Sequence, residues 1–153
     1  FYLANCEIEV LMTWEDHNPL VPNNTNETNT VLRFALGTKK APSAPKTVQI
    51  WTGDANRWQS RYLCAMYGTY LKSDIVQVAH HGGEGGTAQI YTLIDAPTAL
   101  FTTSDELMPI YLGDAHNAHL VNKTNLKEWI NAADRITYFD LPYAVGQAQI
   151  KGE

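Results

Sequence analysis

The hydrophobic period of this chain changes at Gly53-Asp54, which points to folds that lay down a sheet first and cover it with helices afterwards. Before that point, "CEIEVLMTW" (6–14), "TVLRFAL" (30–36) and "TVQIWTGD" (47–54) alternate or are rich in β-branched residues, and each predicts a strand. After it, Trp58, Tyr62, Leu63, Met66, Tyr67 and Tyr70 recur at helical spacing, which predicts a helix over 56–71. "SDIVQVA" (73–79) and "PTALFTT" (97–103) are short apolar runs of the kind that form buried strands. "TAQIYTLIDA" (87–96) and "NKTNLKEWINAA" (122–133) are predicted helices, the second capped by Asn122 or Thr124 and carrying Leu126, Trp129 and Ile130. "RITYF" (135–139) and "AVGQAQI" (144–150) close the order as strands. Three strands followed by helix, strand, helix, strand, helix, strand, strand describe an α/β fold with a mixed β-sheet and flanking helices.

The segments between these elements are polar. Residues 15–29 are dense in Asn, Pro and Thr and read as a long surface loop, and 37–46 has the Gly and Pro of a hairpin connection. With 153 residues, 44% hydrophobic and 18% charged, the chain has the material for a single domain, 1–153, with one core. Trp51, Trp58 and Trp129 are core candidates. The formal net charge is -5 and the longest basic stretch is Lys39-Lys40, so there is no patch for duplex nucleic acid, and a substrate phosphate needs counter-charge from elsewhere. No apolar run approaches the roughly 20 residues of a membrane span, and the chain reads as a soluble segment whose compartment the sequence leaves open. Cys6 and Cys64 form no Cys-x-x-Cys pair, which excludes a zinc ribbon and predicts buried free thiols. Asn-x-Thr triplets at Asn23, Asn26 and Asn122 occur in polar stretches and do not locate the protein.

The residues with chemistry in them cluster at predicted strand ends. Gly53-Asp54 closes the third strand, and His80-His81-Gly82-Gly83 closes the next. In layered α/β proteins such ends carry active groups, because the sheet fixes the backbone while the loops can be shaped around a ligand. A carboxylate and neutral imidazoles are donors that zinc, manganese or iron accept, and the glycines allow close approach of backbone to metal or substrate. The plain alternative is a Gly-Asp turn and two histidines on opposite strand faces, unless the chain turns between them. Glu15-Asp16-His17 offers another carboxylate and imidazole at a strand end, or simply a solvated loop. Asp74 either orients a ligand or caps a turn. His116 and His119 read as a polar loop or helix start, with His116 a candidate to face the cleft.

"NTNETNTVLRFALG", "TVQIWTGDA" and "LKSDIVQVAHHGG", in that order, resemble the second half of the metallo-β-lactamase fold. The branch most similar is that of competence (DNA-uptake) channel proteins and related phosphoesterases. The likeness covers about residues 7 to 103 and rests on Thr-Gly-Asp followed by His-His-Gly. It implies a dinuclear site with two divalent metal ions, zinc above manganese or iron. Asp54 would bridge the ions, and His80 or His81 would bind the second, with the other histidine contacting a substrate oxygen or moving a proton. Gly82, Gly83 and His116 would line the substrate side, and the substrate would be a phosphate ester or phosphodiester.

Two departures stand out. The family's His-x-His-x-Asp-His motif is not in the chain, since Asp114-Ala115-His116-Asn117-Ala118-His119 has the wrong spacing and place for it, and Gly83 stands where the family has Ser. The resemblance therefore implies one half of an αββα sandwich, the C-terminal half, whose partner would be the N-terminal half of the same fold. The alternative of another class is a non-catalytic interaction or scaffold module derived from this fold. A nucleotide-binding domain is disfavoured, because the glycine-rich turn has no Lys and no P-loop spacing.

Overall fold

Seven strands join into one mixed sheet, in the order in which the chain makes them, in the computed structural model, which describes residues 1–3, 5–17, 25–37, 46–104, 106–123 and 130–131. Strands β1 (Tyr2–Leu3), β2 (Cys6–Met12), β3 (Val31–Leu36) and β4 (Thr47–Trp51) are antiparallel to one another, and β5 (Ile75–Gln77), β6 (Thr98–Phe101) and β7 (Ile130–Asn131) continue from β4 in parallel. Parallel neighbours cannot be joined by a hairpin, so the chain crosses over through α2 (Arg57–Tyr67) between β4 and β5, and through α3 (Ala88–Ile94) between β5 and β6. Right-handed crossovers that keep moving in one direction place their helices on the same face. Between β6 and β7 come α4 (Met108–Gly113) and α5 (Ala118–Lys123), and α1 (Trp14–His17) follows β2.

The core lies between one face of the sheet and α2, α3 and α5. Register sets Ile50 beside Val76 and Val76 beside Ala99, and this buried row packs with Leu63, Cys64, Ile90, Tyr91, Ile94, Phe101 and Leu120. Residue alternation sends the other half of the strand residues to the opposite face. There Val10 pairs beside Leu32 and Leu32 beside Trp51, with Ile8, Phe34, Ile75 and Leu100 in the same layer. Among the described residues no helix covers this face, where Val10 and Trp51 stay 44% and 41% exposed. Apolar side chains predominate in this layer, with Gln49, Gln77 and Thr98 set among them.

Several expectations need adjusting. The strand predicted over 6–14 stops at Met12, because the Asp16 carboxylate takes the Thr13 N–H (2.7 Å) and hydroxyl (3.2 Å) and curls Trp14–His17 into a helical turn. The helix predicted over 122–133 is not one element. Helix α5 is described as far as Lys123, and Ile130–Asn131 pairs with β6 as β7, the sheet edge overriding local helical spacing there. The strands predicted at 135–139 and 144–150, and Trp129, lie outside the described residues. Trp58 is largely exposed and Trp51 is partly exposed on the outer sheet face, so neither belongs to the core. Cys6 and Cys64 are free thiols, the first half-buried and the second buried, with burial pushing the Cys64 thiol up from its ordinary value.

Candidate functional site

Parallel strands share a direction, so β4, β5 and β6 bring their C-terminal ends to one edge of the sheet, and the polar clusters that follow them meet there. After β4 the chain turns through Thr52-Gly53-Asp54. Gly53 has φ +55°, and the space its side chain would occupy is filled by the Asn29 amide, whose Oδ1 is 2.0 Å from an ideal Cβ position. No other residue type fits without displacing Asn29. Asn29 Nδ2 donates to the Thr52 carbonyl (2.6 Å) while its Oδ1 accepts from the Asp54 N–H (3.1 Å), so one side chain clamps both ends of the turn. From β5, buried Gln77 accepts the Gly53 N–H at 2.7 Å. The Asp54 carboxylate is left pointing out, with helix α2 starting behind an Asn56–Gln59 capping box just beyond.

After β5 the chain does turn between the two histidines. His80 (φ 49°) and His81 (φ 61°) are both left-handed and Gly82 follows at φ 102°, so the rings do not point to opposite strand faces. Each left-handed non-glycine residue costs roughly 1–2 kcal/mol, and the surroundings have to hold the turn. They do so with the His80 N–H on the Gly53 carbonyl (2.9 Å), the Gly83 N–H on the His80 carbonyl (2.9 Å) and the Ala79 N–H on the Tyr91 hydroxyl (3.1 Å). Tyr91 is fully buried, and burial raises its phenol far above the ordinary value. Asn117, also fully buried, donates to the Gly82 carbonyl and the Tyr111 carbonyl, each at 2.8 Å.

The two clusters meet at Asp54 and His81. His81 Nε2 lies 3.5 Å from Asp54 Oδ1, with 50% and 38% of the two side chains exposed. On the other side of the ring, Nδ1 is 2.8 Å from the Thr102 carbonyl and 3.1 Å from its hydroxyl, just after β6. A carbonyl can only accept, so Nδ1 carries a proton; in the neutral ring it is then the Nε2 lone pair that faces Asp54. A charge-assisted hydrogen bond would be about 2.7–2.9 Å. Two donors at about 2.0–2.1 Å from a tetrahedral zinc ion are about 3.4 Å apart, so the observed separation fits a pair of ligands better than a direct bond. Among the described residues no third His, Cys, Asp or Glu joins them in a group that could hold a metal ion. Two such groups alone fall short of the four ligands a zinc ion ordinarily takes.

The remaining expected residues take other positions. His80 Nε2 is 3.3 Å from Asn26 Nδ2, on the 3-10 turn Thr25–Thr28, away from Asp54's ion-pair distance. Gly82 and Gly83, expected on the substrate side, are buried, and the carbonyl of each is already bonded. A Cβ on Gly82 would lie 2.6 Å from the Phe101 ring, so its smallness serves packing. His116, expected to face the cleft, donates Nε2–H to the Gly83 carbonyl (2.8 Å) and leans on that of Gly82 (3.3 Å), which makes it a brace for the turn. His119 sits with Lys123 and Lys72 around Asp95. Asp74 is at the opposite end of β5, where its carboxylate takes the Val48 N–H at 2.7 Å; it ties β4 to β5 and orients no site histidine. Asp16 is spent on Thr13, and the side chain of His17 lies outside what the structure describes.

Asn26, Asn29, Gln77, Thr102 and Asn117 escaped the sequence reading. Amides and hydroxyls at strand ends look like ordinary loop residues, and only the Asn-rich run before β3 held a signal. Comparison with family models, curated proteins and solved structures finds no match for the chain.

Proposed function

We propose that this chain carries part of the active site of a metal-dependent hydrolase, similar to the metallo-β-lactamase superfamily and acting on phosphate esters or phosphodiesters. The observation that carries the reading is the approach of Asp54 Oδ1 to the lone-pair nitrogen of His81, at 3.5 Å, with the far nitrogen of that ring tied to Thr102. Imidazole ligands are commonly fixed in this way through their second nitrogen. Asp54 and His81 would hold a divalent ion, zinc above manganese or iron, and a second ion would share Asp54. Ions there would supply Lewis acidity and acidify water toward neutral pH, and their charge would offset the repulsion between a phosphate and a chain of net charge -5. The substrate class comes from the sequence resemblance; the geometry supports the donor pair.

The donors still needed would come from a second layer seated on the outer face of the sheet, which no helix covers among the described residues and which carries Trp51, one residue before the turn that holds Asp54. That face also favours the second reading, a scaffold module that docks through it and does no chemistry.

The test is a cobalt titration followed by visible absorption, with zinc as competitor. Saturable cobalt uptake that is displaced by zinc and lost in both Asp54→Asn and His81→Ala supports the metal centre. Uptake by the wild type no greater than by those variants leaves the scaffold reading in its place. Turnover of a generic phosphodiester such as bis(4-nitrophenyl) phosphate, abolished by the same substitutions, would extend the reading to catalysis.

A further inference from the structure

The two adjacent imidazoles have unlike partners, and we infer that they do different work: of the two, His81 presents a lone pair toward Asp54, while Asn26 occupies that of His80 and makes its ring a strut. What His81 faces rests on the metal-centre reading above; the assignment of His80 does not.

A neutral imidazole has one N–H and one lone pair. Asn26 Nδ2 can only donate, so at 3.3 Å the His80 Nε2 must accept, and the His80 proton is on Nδ1. Nothing on that ring is then left for a cation. In His81 the Thr102 carbonyl fixes the proton on Nδ1 as well, but the Nε2 lone pair looks across 3.5 Å to Asp54 instead of to an amide. The rings share a tautomer and differ in what occupies Nε2. His80 is also the better enclosed of the two. Its N–H is on the Gly53 carbonyl (2.9 Å), and Gly85 crosses so near that a Cβ there would be 2.5 Å from His80 Cβ. His81 is half-exposed.

Asn26 is therefore a positioning residue. It sits 54 positions before His80 in the chain, on the turn that leads to β3, and β3 runs antiparallel to β4, which brings that turn to the same sheet edge as Asp54. The turn clasps both polar clusters at once: Asn29 holds the Asp54 turn and Asn26 holds His80. Removing the Asn26 amide should free a second imidazole lone pair next to the first.

The experiment uses the chain labelled with 15N-histidine, two-bond 1H–15N correlation spectra at slightly alkaline pH, and zinc chloride as the probe. In metal-free wild type both rings are expected to carry the proton on Nδ1. Asn26→Ala should move the His80 Nε2 resonance and leave His81 in place, with Asn26→Ser as a second variant should the first disturb the turn. Zinc should shift Nε2 of His81 alone in wild type, and of both rings in Asn26→Ala. A His80 proton on Nε2, a His80 resonance indifferent to both Asn26 variants, or a zinc response of His80 equal to that of His81 in wild type would each overturn the division of labour. If zinc moves neither ring while the metal-free spectra are as expected, the metal-centre reading falls and the Asn26–His80 assignment stands.

Discussion

Gly82→Ala puts the turn that carries His81 under a measurable load. The residue has φ +102°, and an added Cβ would lie 2.6 and 2.8 Å from Cδ1 and Cε1 of Phe101 and 3.2 Å from Cβ of Tyr111. Phe101 is fully buried in the core, so its ring has no free space to swing into. Backbone strain costs roughly 1–2 kcal/mol and overpacking roughly 1–3 kcal/mol. A loss of about 2–5 kcal/mol lowers Tm by about 5–20 °C in a chain of this size. Two other glycines separate the contributions. Gly37 has φ +90° and nothing within 4 Å of an added Cβ, so Gly37→Ala should cost only the backbone share, about 1–2 kcal/mol. Gly113 has open space and no positive φ, so Gly113→Ala should be neutral or stabilise by up to about 1 kcal/mol. Urea unfolding followed by tryptophan fluorescence measures all three. If Gly82→Ala costs no more than Gly37→Ala, the turn is not packed on Phe101 and its glycine is free to serve another purpose.

Asn29→Leu strips the Asp54 N–H of its acceptor and should cost about 1–3 kcal/mol in urea unfolding, with cobalt uptake reduced as Asp54 loses its placement. Tyr91→Phe leaves the buried Ala79 N–H without a partner; a loss of about 1–3 kcal/mol is expected by the same assay, and a neutral result would show that the hydroxyl does not hold the start of the histidine turn. Lys123 first, then His119, hold the Asp95 carboxyl well below the usual carboxylate range. A depressed native value means that Asp95 contributes its full stability above the unfolded carboxylate value of about 3.9 and loses it as pH falls through the native one. Urea midpoints measured from about pH 6 down to about pH 2 should therefore fall less steeply in Asp95→Asn than in wild type.

Much of the sheet could be read from the sequence because each strand segment alternates or is uniformly apolar, and the switch to helical spacing after Asp54 marks where antiparallel pairing gives way to crossovers. Local pattern fails where a long-range partner decides. Ile130 satisfies a helical spacing with Leu126, yet it sits beside Leu100 on the open edge of β6. Trp14 continues an apolar strand run, but one carboxylate two residues later bends the backbone away. At the site, Asp54 and the histidine pair stand out because their side chains carry titratable, ligating atoms next to glycine at strand ends. Their supports do not, since nothing in "NTNETN" distinguishes the two amides that clasp the site from their neighbours. The glycines are ambiguous for a related reason: a glycine demanded by ligand approach and one packed on a phenyl ring, as Gly82 is on Phe101, look alike in a sequence.

Neighbouring residues of β4 allow the open sheet face to be tested against the packed one. Ile50 points into the core and is fully buried, whereas Trp51, next along the strand, points the other way and keeps 41% of its surface in water. Ile50→Ala should cost about 2–5 kcal/mol, the usual range for a buried aliphatic side chain. Trp51→Gln removes a larger side chain, but one whose only described polar bond is an indole N–H on Gln49 at 3.3 Å, and it should cost no more than about 1 kcal/mol. The asymmetry follows from the packing: the inner face is held by the helices, whereas among the described residues no helix covers the outer one. If Trp51→Gln destabilises the chain as much as Ile50→Ala, the chain already covers that face, and the proposal that a second layer docks there falls.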